Sequence, residues 1–304
     1  MFRKKIKLFS LIIFFSAVIY FSYLTYTKIE RIIREKELFR KRELAWTELR
    51  KDLGNKLKEF KGKVGILIKD LETNWVISFN EELSFPAASL IKVPIMLACF
   101  SAVEEGRMKF EDTVKLKNSD KTSGSGILKN LPAGKIFNIE RLVELMITVS
   151  DNTATNILIE KLGFEYLNNY FNKIGLRNTT LVRRMMDFRE RKKGVDNFTT
   201  AKDMACVFEK IYRKQKVKAN FADKSLGFLE AQKYRDRIPS KLPPEIKVAH
   251  KTGLERGVCH DTGIVFGPKG DFLIVVLTEG AEAKNAKEFI ADVSFRVYSY
   301  YLKF

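Results

Sequence analysis

A serine and a lysine stand three residues apart at Ser89 and Lys92, in the segment Ser-Leu-Ile-Lys. No other serine in the chain has a lysine at this spacing. The spacing predicts that the hydroxyl and the amine share one face of a helix. A serine attacks a carbonyl only when a base takes its proton, and a buried lysine with a lowered pKa can be that base. The pair indicates a nucleophilic serine; a capping serine beside a surface lysine gives the same pattern.

Two further short motifs follow along the chain. The first is Ser150-Asp151-Asn152, between two helical stretches, where the alternative interpretation is an N-cap that begins the second helix. The second is Lys251-Thr252-Gly253, which ends a strand-like run. Glycine there allows a substrate backbone to approach the strand edge, and the alternative is a strand that simply enters a turn. Each motif alone predicts little.

Taken together, the three motifs form a known signature set. They occur once each, in order, separated by 61 and 101 residues, as in class A β-lactamases and penicillin-binding proteins. The chain therefore resembles the class A β-lactamase family over roughly residues 45–304. The resemblance implies an α+β fold of the β-lactamase/transpeptidase type. That fold has a five-stranded antiparallel sheet flanked by helices, an all-helical lobe, and an acyl-serine mechanism.

The resemblance also implies roles for individual residues. Ser89 would be the nucleophile, Lys92 its proton acceptor, and Ser150 the group that passes a proton to the leaving nitrogen. Asn152 would bind a substrate amide and hold Lys92. The substrate carboxylate and the oxyanion would be bound by the residues at the end of the Lys-Thr-Gly strand, namely Lys251, Thr252, Gly253 and Leu254, with the Ser89 N–H as the second oxyanion donor.

His260 lies nine residues after Lys251, near the place where many relatives carry an arginine for the substrate carboxylate. A protonated His260 would serve the same purpose, so we expect substrate binding to weaken above pH ~6.5. The alternative is a histidine that is hydrogen-bonded within the sheet beside Asp261. His250 is predicted on the opposite face of its strand, because strand side chains alternate.

The segment 183–200 departs from the family pattern. Relatives hydrolyse their acyl-enzyme with a glutamate on this Ω-shaped loop, followed four residues later by asparagine. The nearest acids here are Asp187 and Glu190, and neither has that asparagine. We expect one of them to position the deacylating water; the alternative is that both pair with the six basic residues of 183–193. Those basic residues either attract acidic wall polymers or form a solvated loop.

The elements that must position these residues are predicted as follows. An amphipathic helix covers 45–60, two strands follow at 63–70 and 74–80, and an apolar helix covers 90–105. A mainly helical stretch then reaches 231, with loops at 118–136 and 176–200. Strands at 245–253, 260–267 and 271–279 precede a closing helix at 283–302. The strands are too close together for parallel crossovers, so the sheet is predicted to be antiparallel.

The N-terminus predicts the compartment. Residues 8–26 contain no charged side chain, and 19 residues at about 1.5 Å each nearly span a bilayer core. Basic residues precede this run, which predicts a cytoplasmic stub (1–7), a membrane anchor (8–26) and an extracytoplasmic remainder. A cleaved signal peptide is the alternative. The remainder divides into a helical stalk (27–44) and a catalytic domain (45–304), whose α/β lobe covers 45–85 and 232–304 and whose helical lobe covers 86–231.

The absence of other known motifs argues against several other classes of enzyme. The chain lacks a GxSxG elbow, an HExxH motif and a phosphate loop, so neither a metal nor an organic cofactor is implied. The net charge of +18 indicates either a protein that binds a polyanion or simply a lysine-rich proteome. The basic residues do not form a recognisable nucleic-acid-binding module. Three cysteines are predicted to be buried thiols.

The preferred interpretation is a membrane-bound serine hydrolase that opens β-lactam amides through acyl-Ser89. Two alternatives remain. One is a penicillin-binding D-alanyl-D-alanine peptidase-like enzyme that acts on wall peptides. The other is a covalent β-lactam sensor that does not turn over. The oligomeric state is not predicted.

Overall fold

The computed structural model describes the backbone of residues 2–303 and the side chains of residues 14–16 and 18–303. Residues Asp52–Lys303 form one compact unit, and the residues up to Lys51 form another. Among the described residues, no helix is long and apolar enough to cross a membrane. The predicted stub and residues 8–13 and 17 of the predicted anchor lie outside the described side chains.

The compact unit is built on the predicted five-stranded antiparallel sheet, with strand order β2-β1-β9-β8-β7. Two small two-stranded sheets, β3-β6 and β4-β5, accompany it. The strands are β1 (Lys63–Asp70), β2 (Val76–Phe79), β3 (Phe85–Pro86), β4 (Thr113–Lys115), β5 (Ile136–Asn138), β6 (Phe198–Thr199), β7 (Lys247–Glu255), β8 (Val258–Phe266) and β9 (Phe272–Glu279).

Nine α-helices occur in the part of the chain that the structure describes, and short 3₁₀ turns join several elements. They are α1 (Phe2–Glu59), α2 (Lys92–Glu104), α3 (Ile139–Thr148), α4 (Asn152–Leu162), α5 (Phe164–Lys173), α6 (Phe188–Lys192), α7 (Ala201–Tyr212), α8 (Ala219–Glu230) and α9 (Ala283–Tyr301).

The sheet is covered on both faces, which explains its apolar sequence. Eight of the nine residues of β8 and seven of the eight residues of β9 are buried, and the exception in each strand is its last residue. Helix α9 packs on β8 and β9, and α7 packs on β1, β8 and β9. Strands buried on both faces read as continuous apolar runs rather than as alternating ones. The sheet is therefore buried on both faces, and β7 is one of its two edge strands.

Helix α2 forms the centre of the helical layer. Ten of its thirteen residues are buried, and it packs against α3, α4, α5 and α8. A helix that is apolar on every face lies inside a protein. Lys92 is the first residue of α2 and is buried with it, so the fold itself removes this amine from water.

The small sheets are absent from the sequence prediction, which assigns β6 to a loop and places β4 and most of β5 in the mainly helical stretch. Strands of two or three residues carry no detectable periodicity. The cysteines also differ slightly from expectation. Cys99 and Cys259 are buried, whereas Cys206 is half-buried, and all three are free.

Candidate active site

Ser89 lies in a 3₁₀ turn, Ala88–Ile91, that leads directly into α2. The residue before it, Ala88, has φ +44°, a left-handed conformation that alanine rarely adopts. Such strain costs on the order of 1–3 kcal/mol and concentrates at functional sites. Ser89 remains partly exposed while Leu90 and Ile91 are buried. Neither the turn nor α2 uses Ser89 as its N-cap, which removes the capping interpretation.

The Lys92 amine points at the second motif. Its Nζ lies 2.7 Å from the Ser150 carbonyl oxygen, 3.1 Å from Ser150 Oγ and 2.7 Å from Asn152 Oδ1. The sequence spacing placed Lys92 on the same side as Ser89, and the structure adds that its hydrogen bonds run to the Ser150-Asp151-Asn152 turn. Lys92 therefore joins the first motif to the second.

Ser150 is the meeting point of all three motifs. Its Oγ lies 3.1 Å from Lys92 Nζ and 3.1 Å from Lys251 Nζ. Ser150 is buried and has φ +55°, the second strained non-glycine residue at the site. When both amines donate to Oγ, the hydroxyl proton is free to be given elsewhere. The site thus places a proton donor between two lysines.

Both lysine pKa values are depressed. Burial lowers the pKa of Lys92 well below its usual value, and the charge of Lys251 lowers it further. Burial also lowers the pKa of Lys251, to about 7, and Arg237 contributes to this while Asp261 opposes it. A lowered pKa makes it easier for a lysine to lose its proton and become the neutral amine that a general base requires.

The middle acid of the second motif is structural. Asp151 caps α4 by accepting from the Ala154 N–H at 2.9 Å. Its other oxygen accepts from the N–H groups of Ile127 and Leu128 at 2.7 and 2.8 Å. The capping interpretation thus holds for Asp151, whereas Asn152 uses its oxygen for Lys92 and donates to the Ser123 carbonyl oxygen at 2.9 Å.

The end of β7 runs close to the nucleophile turn. A Cβ added at Gly253 would lie 3.3 Å from the Ala88 Cβ, so glycine permits the tight approach of the strand to this turn. Thr252 is buried and its carbonyl oxygen accepts from Lys251 Nζ at 2.9 Å. Leu254 is 47% exposed. The end of β7 therefore packs against the turn that carries Ser89.

His260 is not placed to bind substrate, which corrects the prediction. It is fully buried; its Nε2 lies 2.9 Å from the Pro86 carbonyl oxygen and its Nδ1 accepts from the Thr278 N–H at 3.0 Å. Burial lowers the pKa of His260 to about 4. A neutral histidine with both nitrogens bonded inside the sheet has no charge for a carboxylate. The alternative interpretation, a hydrogen-bonded histidine in the sheet, is the observed one.

The buried His260 predicts acid lability. Its folded pKa, about 4, lies below the unfolded value of 6.5, so the unfolded state binds the proton first. The contribution of neutral His260 to the free energy of unfolding is fully present above pH ~6.5. It falls by about 3 kcal/mol as the pH approaches 4. We expect urea unfolding to show a smaller pH dependence across this window in His260→Gln than in the parent. Equal slopes in the two proteins would contradict the assignment.

The loop after Leu181 carries Met185 and Met186, and Met186 lies near the second motif. Asn156 fixes this loop: its amide donates to the Met185 carbonyl oxygen at 3.1 Å and its oxygen accepts from the Met185 N–H at 2.8 Å. A Cβ on Gly124 would lie 2.6 Å from Asn152 Nδ2 and 3.0 Å from Met186 Sδ. Met186 thus reaches the surroundings of Asn152, where a carboxylate was expected.

The two acids of this loop have hydrogen-bond and ion-pair partners within the loop itself. Asp187 caps α6 by accepting from the N–H groups of Arg189 and Glu190 at 3.2 and 3.3 Å. Glu190 pairs with Lys193 at 2.7 Å. Among the described residues, neither carboxylate is hydrogen-bonded to a residue of the three motifs.

Asp187→Asn separates the two possible roles of Asp187. Asparagine caps a helix as well as aspartate does, so the loop should keep its conformation. We expect deacylation to stay within about twofold of the parent, because the carboxylate is occupied by its own helix. Measuring the lifetime of the penicillin adduct checks this. A much longer lifetime at unchanged melting temperature would restore Asp187 as the base.

Two residues near the site escaped sequence reasoning. Asn156 stands four residues after Asn152, on the same helix face, and this spacing was an available signal. Arg237 is buried against Cys259, with Nε 3.2 Å from Sγ, and it lowers the pKa of Lys251. No local pattern marks Arg237. Among the described side chains, no cluster of His, Cys, Asp or Glu is placed to hold a metal ion.

The geometry can be set beside known proteins. The model of the β-lactamase enzyme family matches residues 48–301, most of the chain. The chain belongs to this family. VEB-1 β-lactamase of Pseudomonas aeruginosa is 25% identical over 270 residues, which cover 82% of this chain and 88% of the relative.

Solved structures of the family superpose on the same region. The β-lactamase of Sphaerobacter thermophilus is 30% identical with a TM-score of 0.75, covering 80% of this chain and 92% of that one. A protein described as PBP-A is 29% identical with a TM-score of 0.79, covering 85% and 97%. A variant of PBP-A is described as an acyl-enzyme complex with penicillin G. The β-lactamase/transpeptidase-like fold is therefore confirmed.

Proposed function

We propose that this protein is a serine β-lactamase that opens β-lactam amides through an acyl-Ser89 intermediate. The observation that carries the proposal is the convergence of the three motifs on Ser150, whose Oγ lies 3.1 Å from both Lys92 Nζ and Lys251 Nζ. These contacts join residues 58 and 101 positions apart in the sequence. Family membership and relatives named as β-lactamases support the same activity.

The proposed acylation step assigns each of these residues one role. Neutral Lys92 takes the proton of Ser89 Oγ as that oxygen attacks the lactam carbonyl carbon. The N–H groups of Ser89 and Leu254 receive the developing oxyanion, each donor contributing about 2.7–4 kcal/mol. Ser150 gives its proton to the lactam nitrogen as the C–N bond breaks and takes in its place the proton held by Lys92, whose Nζ lies 3.1 Å from its Oγ. Lys251 attracts the substrate carboxylate. Water then hydrolyses the Ser89 ester and restores the hydroxyl.

A second candidate function rests on the loop that carries Met185 and Met186. A misplaced catalytic group costs about 10²-fold in rate, and here Met186, rather than a carboxylate, lies in the surroundings of Asn152. Slow deacylation would suit a penicillin-binding D-alanyl peptidase-like enzyme or a covalent sensor. The description of a PBP-A variant as a penicillin G acyl-enzyme supports this candidate.

The test is intact mass of the purified chain mixed with penicillin G. An adduct that appears and then disappears while hydrolysed drug accumulates supports the β-lactamase. An adduct that persists supports the second candidate. Failure of both the parent and Ser89→Ala to form any adduct would reject both.

We also propose that residues 8–26 anchor the protein in the membrane, with the catalytic domain outside the cytoplasm. The support is the uncharged 19-residue run and the basic residues Arg3, Lys4, Lys5 and Lys7 before it. The test is extraction of expressing cells with alkaline carbonate. The full chain should stay with the membranes, whereas a chain that starts at residue 45 should not. Release of the full chain, or an intact mass lacking the first residues, would reject the anchor.

A further inference from the structure

Four ionic side chains form a cluster beside the site, here called the loop–strand cluster: Arg183, Arg191, Asp196 and Glu255. Arg183 Nη2 lies 2.6 Å from Asp196 Oδ1, and Arg191 Nε lies 3.1 Å from Asp196 Oδ2. Glu255 Oε2 lies 2.5 Å from Arg191 Nη1, and its Oε1 lies 3.6 Å from Arg183 Nη2. The Glu255 side chain is only 13% exposed.

Glu255 is the one member of the cluster that does not belong to the loop. The ends of the loop are already held together by Arg183 with Asp196, and by Asn197, which bonds the backbone N–H and carbonyl oxygen of Arg183. Closing the loop therefore does not require Glu255. Glu255 is the last residue of β7, so its pair with Arg191 links the loop to the edge of the sheet.

The ion pair between Glu255 and Arg191 lies next to the predicted oxyanion donor. Glu255 follows Leu254, the predicted oxyanion donor, and pairs in register with Val258 across the β7–β8 hairpin. The same loop is also bonded to α4, the helix that begins at Asn152, through the hydrogen bonds between Asn156 and the Met185 backbone. Movement of the β7 end would displace the Leu254 N–H from the nucleophile turn, and such a donor is worth about 10²–10³-fold in rate.

We propose that Glu255 is a positioning residue of the acylation step: its ion pair with Arg191 fixes the loop against the end of β7 and holds the Leu254 N–H beside Ser89. This inference rests on the proposed function. Glu255 also acts through its charge. The charged groups that act on Lys92 are Lys251, which lowers its pKa, and Asp151 and Glu255, which raise it.

The test compares Glu255→Gln with the parent in the full chain, with penicillin G as the probe. We expect the acylation rate constant to fall about ten- to a hundredfold, since the oxyanion donor is displaced rather than lost. The Kd of the non-covalent complex should change little. Folding should persist, because both arginines retain Asp196. The acid limb of the acylation pH profile should move to lower pH, because losing a negative charge lowers the pKa of Lys92 further.

The matched control is Glu160→Gln, which breaks an ion pair to Arg184 on the same loop. That pair is largely exposed, with 66% and 51% of the two side chains accessible. Exposed pairs contribute little, so acylation should match the parent. Arg191→Gln should reproduce the loss in Glu255→Gln, and the double variant should lose no more than either single one. Arg191→Lys, which keeps the charge, should recover part of the rate.

The outcomes separate the two proposals. A parent that forms no adduct rejects the proposed function. A parent that acylates at the same rate and pH profile as Glu255→Gln rejects the positioning role alone. Losses that add fully in the double variant, or that Glu160→Gln shares, would also overturn it, because they would show no specific coupling between Glu255 and Arg191.

Discussion

Ser89→Ala is expected to abolish the penicillin adduct and to reduce β-lactam hydrolysis by about 10⁶-fold, the loss seen when a serine hydrolase loses its nucleophile. Ser89 is partly exposed, follows the strained Ala88 and lies in the turn that leads into the buried helix α2. Alanine removes one oxygen and leaves the turn unchanged. The measurement is intact mass together with the rate of drug hydrolysis.

The chain offers a matched control in Ser123. Its backbone carbonyl oxygen accepts from Asn152, so Ser123→Ala removes a hydroxyl beside the site without touching that contact. This variant should keep the parent rate of adduct formation. An adduct on Ser89→Ala would assign the nucleophile elsewhere, and Ser150 would be the first residue to examine by peptide mapping.

Lys92→Met is expected to slow acylation by about 10⁴-fold, the upper range for loss of a general base. Methionine keeps the length and apolar stem of the lysine while removing the amine that contacts Ser150 and Asn152. The rate should not recover at high pH, because no titrating group remains at this position. Time-resolved mass spectrometry of the adduct measures the change.

The stability of Lys92→Met must be measured beside its rate. Burial lowers the pKa of Lys92, so methionine removes a desolvation penalty but leaves the acceptors on Ser150 and Asn152 without a donor. The control is Lys129→Met, since Lys129 donates to the Gly124 carbonyl oxygen at an exposed position. Acylation of Lys92→Met within tenfold of the parent would show that another group takes the serine proton.

Much of the fold was predictable because its elements carry strong local signals. The hairpin of β1 and β2 and the strands β7, β8 and β9 are apolar, bounded by turns, and were found within a few residues of their ends. The helix α2 is apolar throughout and was also predicted. By contrast, β3 and β6 are two residues each. They exist because Phe85 and Pro86 lie opposite Thr199 and Phe198, which no local sequence pattern reveals.

The part of the site that could be predicted is the part formed by residues of short sequence motifs. Ser89, Lys92 and Lys251 are recognisable from sequence because their spacing within each motif is fixed. The role of His260 was wrong, because charge depends on burial and the sequence does not state which side of the sheet a residue faces. Glu255 was missed for a similar reason: its partner Arg191 lies 64 residues away.

The convergence on Ser150 also determines when in folding the site exists. Ser150 Oγ is hydrogen-bonded to Lys92, which lies 58 residues earlier in the sequence, and to Lys251, which lies 101 residues later. Contacts of such separation close large loops and form only with most of the native topology. A partly folded chain therefore has the three motifs but no assembled proton donor. Under the proposed mechanism, covalent labelling of Ser89 by a β-lactam would count only molecules in which this site has assembled, and would serve as a titration of native protein in a preparation.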